Sequence, residues 1–71
     1  MYRLEFENEY AERRLVGKFE TIQEANAAMV KELHSKGIKP YYFRSWGYLD
    51  KEGQTIDYGS HSCFYHIIKE D

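Results

Sequence analysis

The segment from His61 to His66 holds the residue types that bind metals or form a nucleophile–base pair. In an extended strand, alternate side chains lie on opposite faces, so His61 and Cys63 share one face and His66 lies on the other. A zinc site needs three or four convergent ligands, and a reactive cysteine needs a base beside it and a lowered pKa. Because one strand supplies neither arrangement, we expect no metal site and an ordinary buried thiol.

Other catalytic patterns are equally weak. Glu5 and Glu7 could form a carboxylate pair for acid–base chemistry, but they alternate with apolar residues and are expected to face water. The five glycines stand apart from one another, so the chain has no glycine-rich phosphate loop. Because no acid, base and nucleophile converge, the sequence predicts a protein that is not an enzyme and uses no cofactor.

Composition limits the kind of partner. Ten Lys and Arg residues against twelve Asp and Glu residues give a formal net charge of −2, which is unfavourable for binding nucleic acid mainly through its phosphates. Cys63 is the only cysteine, so no internal disulfide can form, and a reducing cytoplasmic setting is the simplest expectation. We expect no membrane association, because no apolar run approaches the length of a membrane-spanning helix and the first residues lack a signal peptide's apolar region.

Hydrophobic periodicity predicts the first three elements. Residues 2–7 alternate apolar and charged side chains, which is the period of a half-buried strand, and residues 14–19 are predicted to form a second strand. A helix at about 22–36 follows Thr21, which can form a capping box with the glutamate three residues later. Gly37 suits the left-handed position of a Schellman motif, so the helix should end there.

Three further strands are predicted at 41–49, 54–58 and 62–68, joined by two tight turns. If Asp50 opposes Gln54 in the first hairpin, Trp46 opposes Tyr58. Directly opposed residues share a face, which places Trp46 and Tyr58 with Cys63. This face is the richer in apolar bulk, and free cysteines are usually buried, so we expect it to pack against the helix.

Together these elements predict a single α+β domain over residues 1–71, with the arrangement ββαβββ. One helix covers one face of a five-stranded antiparallel sheet. A right-handed crossover of the helix above the first strand predicts the strand order 2-1-3-4-5. The second and fifth strands would then form the edges of the sheet.

The expected function is a small non-catalytic protein-interaction module, with a homodimer as one form of that binding. The module would use the open sheet face and the edge of the last strand, because exposed apolar patches and unguarded strand edges favour contact with other chains. A small accessory protein of a bacterium or a phage would fit this role. The partner-binding candidates are the apolar and histidine side chains predicted on the open face: Phe43, Leu49, Phe64, His66 and Ile68.

The alternative is weak binding of single-stranded nucleic acid. Bases stack on aromatic side chains while cations hold the phosphates, and the opposite sheet face offers that mixture. Its candidate residues are Tyr42, Arg44, Trp46 and Tyr48. The two hypotheses require opposite faces to be open, so the exposure of Trp46 discriminates between them.

Overall fold

The computed structural model describes residues 1–40 and 42–70. One helix packs against a five-stranded antiparallel sheet, which confirms the predicted α+β fold class. The elements in chain order are β1 (Tyr2–Glu7), β2 (Arg13–Phe19), α1 (Ile22–Ser35), β3 (Arg44–Gly47), β4 (Gln54–Asp57) and β5 (Phe64–Lys69).

The order of the strands corrects the prediction. The sheet runs β2-β1-β5-β4-β3 rather than 2-1-3-4-5, so β5 lies between β1 and β4, and the edges are β2 and β3. The reason lies in β5 itself, whose residues Tyr65, Ile67 and Ile68 are all buried although they alternate between the two faces. A strand that is apolar on both faces is typical of a sheet interior. The last strand therefore has no free edge, and the prediction of a binding edge there was wrong.

The helix begins as the sequence predicts. The Thr21 side chain accepts a hydrogen bond from the Glu24 backbone N–H at 3.2 Å, and its hydroxyl donates to the Glu24 carboxylate at 3.0 Å. These bonds satisfy a free donor of the first turn. The buried stripe of the helix consists of Ala25, Met29 and Leu33, which recur at the spacing of an amphipathic helix.

The helix ends in a Schellman motif. Ile38 N–H donates to the Leu33 carbonyl at 2.9 Å, and Gly37 N–H donates to the His34 carbonyl at 3.0 Å. Gly37 has a positive φ of 76°, a conformation that glycine adopts without strain. Lys36 is the C-cap, so the helix is one residue shorter than the predicted 22–36.

The register of β3 also corrects the prediction. Trp46 pairs with Thr55 rather than Tyr58, and this shift of three residues places Trp46 on the sheet face away from the helix. Cys63 stays on the helix side, packed against the core. The loop between β3 and β4 is wider than a tight turn, and Asp50 holds it in place. The Asp50 carboxylate accepts a hydrogen bond from the Gly53 backbone N–H at 3.2 Å, and the Asp50 carbonyl accepts one from Lys69 N–H at 2.9 Å. Residue 41, the predicted start of this strand, lies outside the described residues.

The hydrophobic core lies between α1 and the helix-side face of the sheet. Its largest fully buried side chains are Tyr65, Leu4, Leu33 and Ile67. The helix lies closest to β1 and β2, which leaves the β3 end of the sheet with less cover. The candidate site lies at this less covered end of the sheet.

Candidate interaction site at the β3 edge

Residues 42–48, which we call the β3 edge, carry four exposed aromatic side chains. The exposed fraction is 50% for Tyr42, 46% for Phe43, 50% for Trp46 and 80% for Tyr48. All four residues of β3 are exposed, and β3 pairs only with β4 in the described sheet. Apolar side chains beside an unpaired strand edge are typical of a surface that pairs with another chain.

On the outer face, away from the helix, the β3 edge combines an aromatic pair with an ion pair. The Trp46 and Phe64 rings meet edge to face with centroids 6.0 Å apart. The Arg44 guanidinium lies 3.2 Å from the Asp57 carboxylate and 5.8 Å from the centre of the Tyr42 ring. The Gly59 backbone N–H and the Arg44 guanidinium hold the pKa of Asp57 below its usual range, so the charge of Arg44 is already balanced.

On the helix side, the β3 edge borders a shallow cleft of about 320 Å³. Phe43 and Ser45 line it together with Met29 and Val30 of the helix. Ser45 pairs with Ile56 in the sheet and is itself exposed. Both faces of β3 are therefore accessible, in contrast to the inner strands.

The predicted partner-binding residues do not form one patch. Phe43 is exposed on the helix side, Leu49 is half-buried against the core, and Phe64 is half-buried on the outer face. His66 and Ile68 have exposed fractions of only 6% and 4%. Because β5 is central, its neighbours cover the outer side chains that an edge strand would have left open.

The alternative set is brought together by the structure. Tyr42, Arg44, Trp46 and Tyr48 all lie on the β3 edge and all are exposed. With Phe43, they make this short segment the largest concentration of exposed aromatic side chains in the described chain. Of the partner-binding candidates, only Phe43 lies on this segment, and the exposure of Trp46 is the outcome that the nucleic-acid alternative requires.

His66 forms a hydrogen-bonded chain that sequence analysis missed. Its Nε2 lies 2.8 Å from the Glu7 carboxylate and its Nδ1 lies 3.2 Å from the Thr55 hydroxyl. A hydroxyl, an imidazole and a carboxylate in this order resemble a catalytic triad. Because His66 is buried and Glu7 also pairs with Arg13 at 3.5 Å, we interpret the chain as a link between β4, β5 and β1. Only the observed strand order could reveal it.

Ion pairs cover the outer face of β1 and β2. Glu5 contacts Arg3 at 2.8 Å and Arg13 at 3.2 Å, and Glu70 contacts Arg3 at 3.5 Å and Lys18 at 3.6 Å. Glu5 and Glu7 thus serve as partners for arginines, and the geometry gives no support for acid–base chemistry between them.

The thiol of Cys63 is half-buried and His61 is exposed. Cys63 lies beside Tyr58, and burial together with this thiol raises the pKa of the tyrosine. Within residues 1–40 and 42–70, no three His, Cys, Asp or Glu side chains are grouped so as to hold a metal ion. In the same part of the chain, none of the helices has the length and apolar character needed to cross a membrane.

The fold and the β3 edge define a small α+β domain with one uncovered aromatic strand. Comparisons with known proteins found no matching family, no similar curated protein and no similar solved structure. The function must therefore be inferred from the geometry of this chain alone.

Proposed function

We propose that the protein is a non-catalytic interaction module that binds a second copy of itself by adding strand to strand at the β3 edge. One observation carries the proposal: β3 is an edge strand on which every residue is exposed, flanked by exposed aromatic rings. Strand addition satisfies the free backbone groups of such an edge, and side chains on alternate positions supply specificity. Two copies would then share one continuous ten-stranded sheet.

Symmetry restricts the register of this pairing. Two copies of one antiparallel strand are related by a two-fold axis, and directly opposed residues must share a face. The axis must therefore pass through a residue of β3 rather than between two residues. An axis at Arg44 would oppose two arginines, and an axis at Trp46 would shorten the overlap because β3 ends at Gly47.

An axis at Ser45 gives complementary neighbours. Arg44 then opposes Trp46 of the second copy, which favours a cation–π contact on the outer face. On the helix side, Phe43 opposes Gly47 of the second copy, and an aromatic ring beside a strand glycine protects its exposed backbone. Such a short overlap predicts a weak, reversible dimer rather than an obligate one.

Sedimentation over a range of protein concentrations tests the dimer. We expect the average mass to rise from the 8.5 kDa monomer toward the dimer in the micromolar range. Ser45→Lys should abolish the rise, because two like charges would face each other across the axis. Ser62→Lys adds the same charge at an exposed site outside β3 and should dimerise normally. A mass of 8.5 kDa at every concentration would refute the proposal.

Cross-linking tests the register. In a Cys63→Ser background, Ser45→Cys places two thiols opposite each other, within the distance that a disulfide spans. We expect oxidation to give a covalent dimer of Ser45→Cys and much less of Tyr48→Cys, which opposes residue 42 of the second copy and leaves Arg44 and Trp46 in place. Preferential cross-linking through residue 48 would exclude the axis at Ser45.

Single-stranded nucleic acid is a second candidate partner. The observation in its favour is the exposure of Tyr42, Trp46 and Tyr48 on the segment that holds Arg44. The balanced charge of Arg44 and the net charge of −2 weaken it. Titrating Trp46 fluorescence with single-stranded oligonucleotides at low salt tests this candidate, and unchanged fluorescence would remove it.

The proposal includes a reducing, cytoplasmic setting. It is supported by a single cysteine whose thiol is half-buried and has no disulfide partner in this chain. Cell fractionation with thiol labelling tests it: Cys63 should be recovered as a free thiol in the soluble cytoplasmic fraction.

A further inference from the structure

A second concave site lies at the C-terminal end of α1, on the helix side of the sheet. It is a cleft of about 570 Å³ between the segment that follows the helix and the turn that joins β4 to β5. This volume lies in the range of sites for small organic molecules. Its chemically informative lining residues are Phe6, Lys36, Lys39, Tyr42, Tyr58 and Cys63.

The charge in this cleft is opposite to that of the chain. The protein has more acidic than basic residues, yet two lysines and no carboxylate line the cleft among the described residues. The end of a helix would ordinarily oppose an anion. Here the carbonyls of Glu32, Leu33 and His34 accept hydrogen bonds from the backbone N–H groups of Lys36, Gly37 and Ile38. The charged side chains that line the cleft are the two lysines.

Lys36 is held in position but keeps unused hydrogen-bond donors. Its ammonium lies 3.8 Å from the centre of the Phe6 ring, a cation–π distance. Its nearest oxygens are the Tyr65 hydroxyl at 3.5 Å and the Glu32 carboxylate at 3.8 Å, both longer than an ordinary hydrogen bond. Glu32 is already engaged by Tyr65 at 2.6 Å and Arg14 at 3.1 Å.

The rest of the lining is apolar and aromatic. Phe6, Tyr42 and Tyr58 contribute rings, and Ile38 and Pro40 contribute aliphatic surface. An aromatic ligand gains both buried area and ring contacts in such surroundings. The lysines and these apolar side chains line the same cleft, so one molecule can contact both.

We propose that this cleft binds a small organic anion with an aromatic or apolar body and a carboxylate, sulfonate or phosphate head. The body lies against the rings and the head contacts Lys36 and Lys39. The cleft shares Tyr42 with the β3 edge, and its other lining residues lie outside that edge.

Two fluorescent probes with the same aromatic body test the proposal. Anilinonaphthalene sulfonate carries the anionic head, whereas phenylnaphthylamine lacks it. We expect the sulfonate to bind one molecule per chain and at least about 25-fold more tightly than the neutral probe, because each of the two lysines contributes about fivefold. Equal affinity of the two probes would overturn the proposal.

Lysine variants locate the anionic head. Lys36→Met and Lys39→Met should each weaken binding of the sulfonate about fivefold or more, while leaving the neutral probe unchanged. Lys51→Met, in the loop between β3 and β4, is the matched control and should bind normally. Lys39 has no ion pair among the described residues, so Lys39→Met keeps the test decisive if Lys36→Met unfolds. Unchanged affinity of both variants would refute the proposed role of the lysines.

The rate at which the Cys63 thiol is alkylated measures whether the probe occupies the cleft. Because its thiol lines the cleft, saturating sulfonate probe should slow its alkylation by iodoacetamide several-fold. Trp46→Ala should show the same protection, since the probe does not sit at β3. Unchanged alkylation in the presence of bound probe would place the probe elsewhere and overturn the assignment.

Discussion

The two ends of the sheet are built differently. Strands β1 and β2 lie under the helix on one face and under ion pairs on the other, and β5 adds buried residues beside them, whereas β3 has every residue exposed. The covered end holds the fully buried Leu4, Tyr65 and Ile67, and the open end holds Trp46 and Tyr48. The buried core therefore lies at one end of this small sheet, and the proposed binding surface lies at the other.

Geometry explains the difference. A helix is about 10 Å across, and neighbouring strands are about 4.8 Å apart, so a single helix covers roughly two or three strands. Five strands and one helix must leave part of a face uncovered. In this chain the uncovered part lies at β3, where aromatic rings take the place of a covering element.

The largest expected effect is a difference in the free energy of unfolding between substitutions at the two ends of the sheet. Ile67→Ala should lower the free energy of unfolding by about 3 kcal/mol, because it leaves a cavity in a fully buried site. Urea denaturation measures this loss. Tyr48→Ala, at an exposed position of the open end, should change the stability of the monomer by less than about 0.5 kcal/mol.

A domain of this size is only marginally stable, so Ile67→Ala could prevent folding. Ile67→Val can then be measured instead, and it should lower the free energy of unfolding by about 1 kcal/mol. Equal losses for Ile67→Val and Tyr48→Ala would contradict the assignment of the core to the covered end.

Substitutions at two glycines test whether the β3–β4 loop packs on β5. Gly53 and Gly59 both have positive φ, but a Cβ at Gly53 would lie 2.6 Å from the Ile68 side chain, and a Cβ at Gly59 would meet nothing within 4 Å. Gly53→Ala should therefore cost about 2 kcal/mol or more, and Gly59→Ala about 1 kcal/mol from backbone strain alone. Thermal unfolding of both variants measures the difference, and equal losses would mean that the β3–β4 loop does not pack on β5.

Local features of this fold were predictable from the sequence. The alternation in residues 2–7, the Thr21 cap and the Gly37 motif each depend on neighbours in the chain, and the structure contains all three. These features need no knowledge of which strands meet.

Long-range choices were not predictable in the same way. The position of β5 depends on competition between strands for the centre, and the register of β3 depends on Asp50, whose contacts with Gly53 and Lys69 widen the loop. One signal was present: residues 64–68 offer apolar side chains to both faces, which favours a central strand. The observed strand order follows this signal rather than the preference for a short crossover, so β3 and not β5 forms an edge of the sheet.

Acid should weaken the covered end through Glu32. Burial opposes its charge, but hydrogen bonds from Tyr65 and Arg14 outweigh this and lower the pKa of Glu32 in the folded chain. A group whose folded pKa is lowered stabilises the fold above its unfolded pKa, and this contribution is lost as the pH falls through the folded pKa.

Glu32→Gln measures this contribution. We expect the variant to be less stable than the original chain at about pH 7, by about 1 kcal/mol, because a charged hydrogen-bond acceptor is lost. The difference should shrink as the pH falls through the lowered pKa of Glu32 in the folded chain, since the carboxyl group is then increasingly protonated in both states. A constant difference across this range would show that Glu32 acts through packing and not through its charge.

The smallest expected stability change lies at the open end, where binding should change most. Trp46→Ala removes a half-exposed ring and one edge-to-face contact with Phe64. The free energy of unfolding of the monomer should therefore fall by about 1 kcal/mol or less. The measurement must be made below the concentration at which the chain dimerises, because association adds apparent stability. In sedimentation at high concentration, the same variant should remain monomeric. A loss of stability as large as that of Ile67→Ala, without a change in mass, would assign Trp46 to the core and remove β3 as the binding surface.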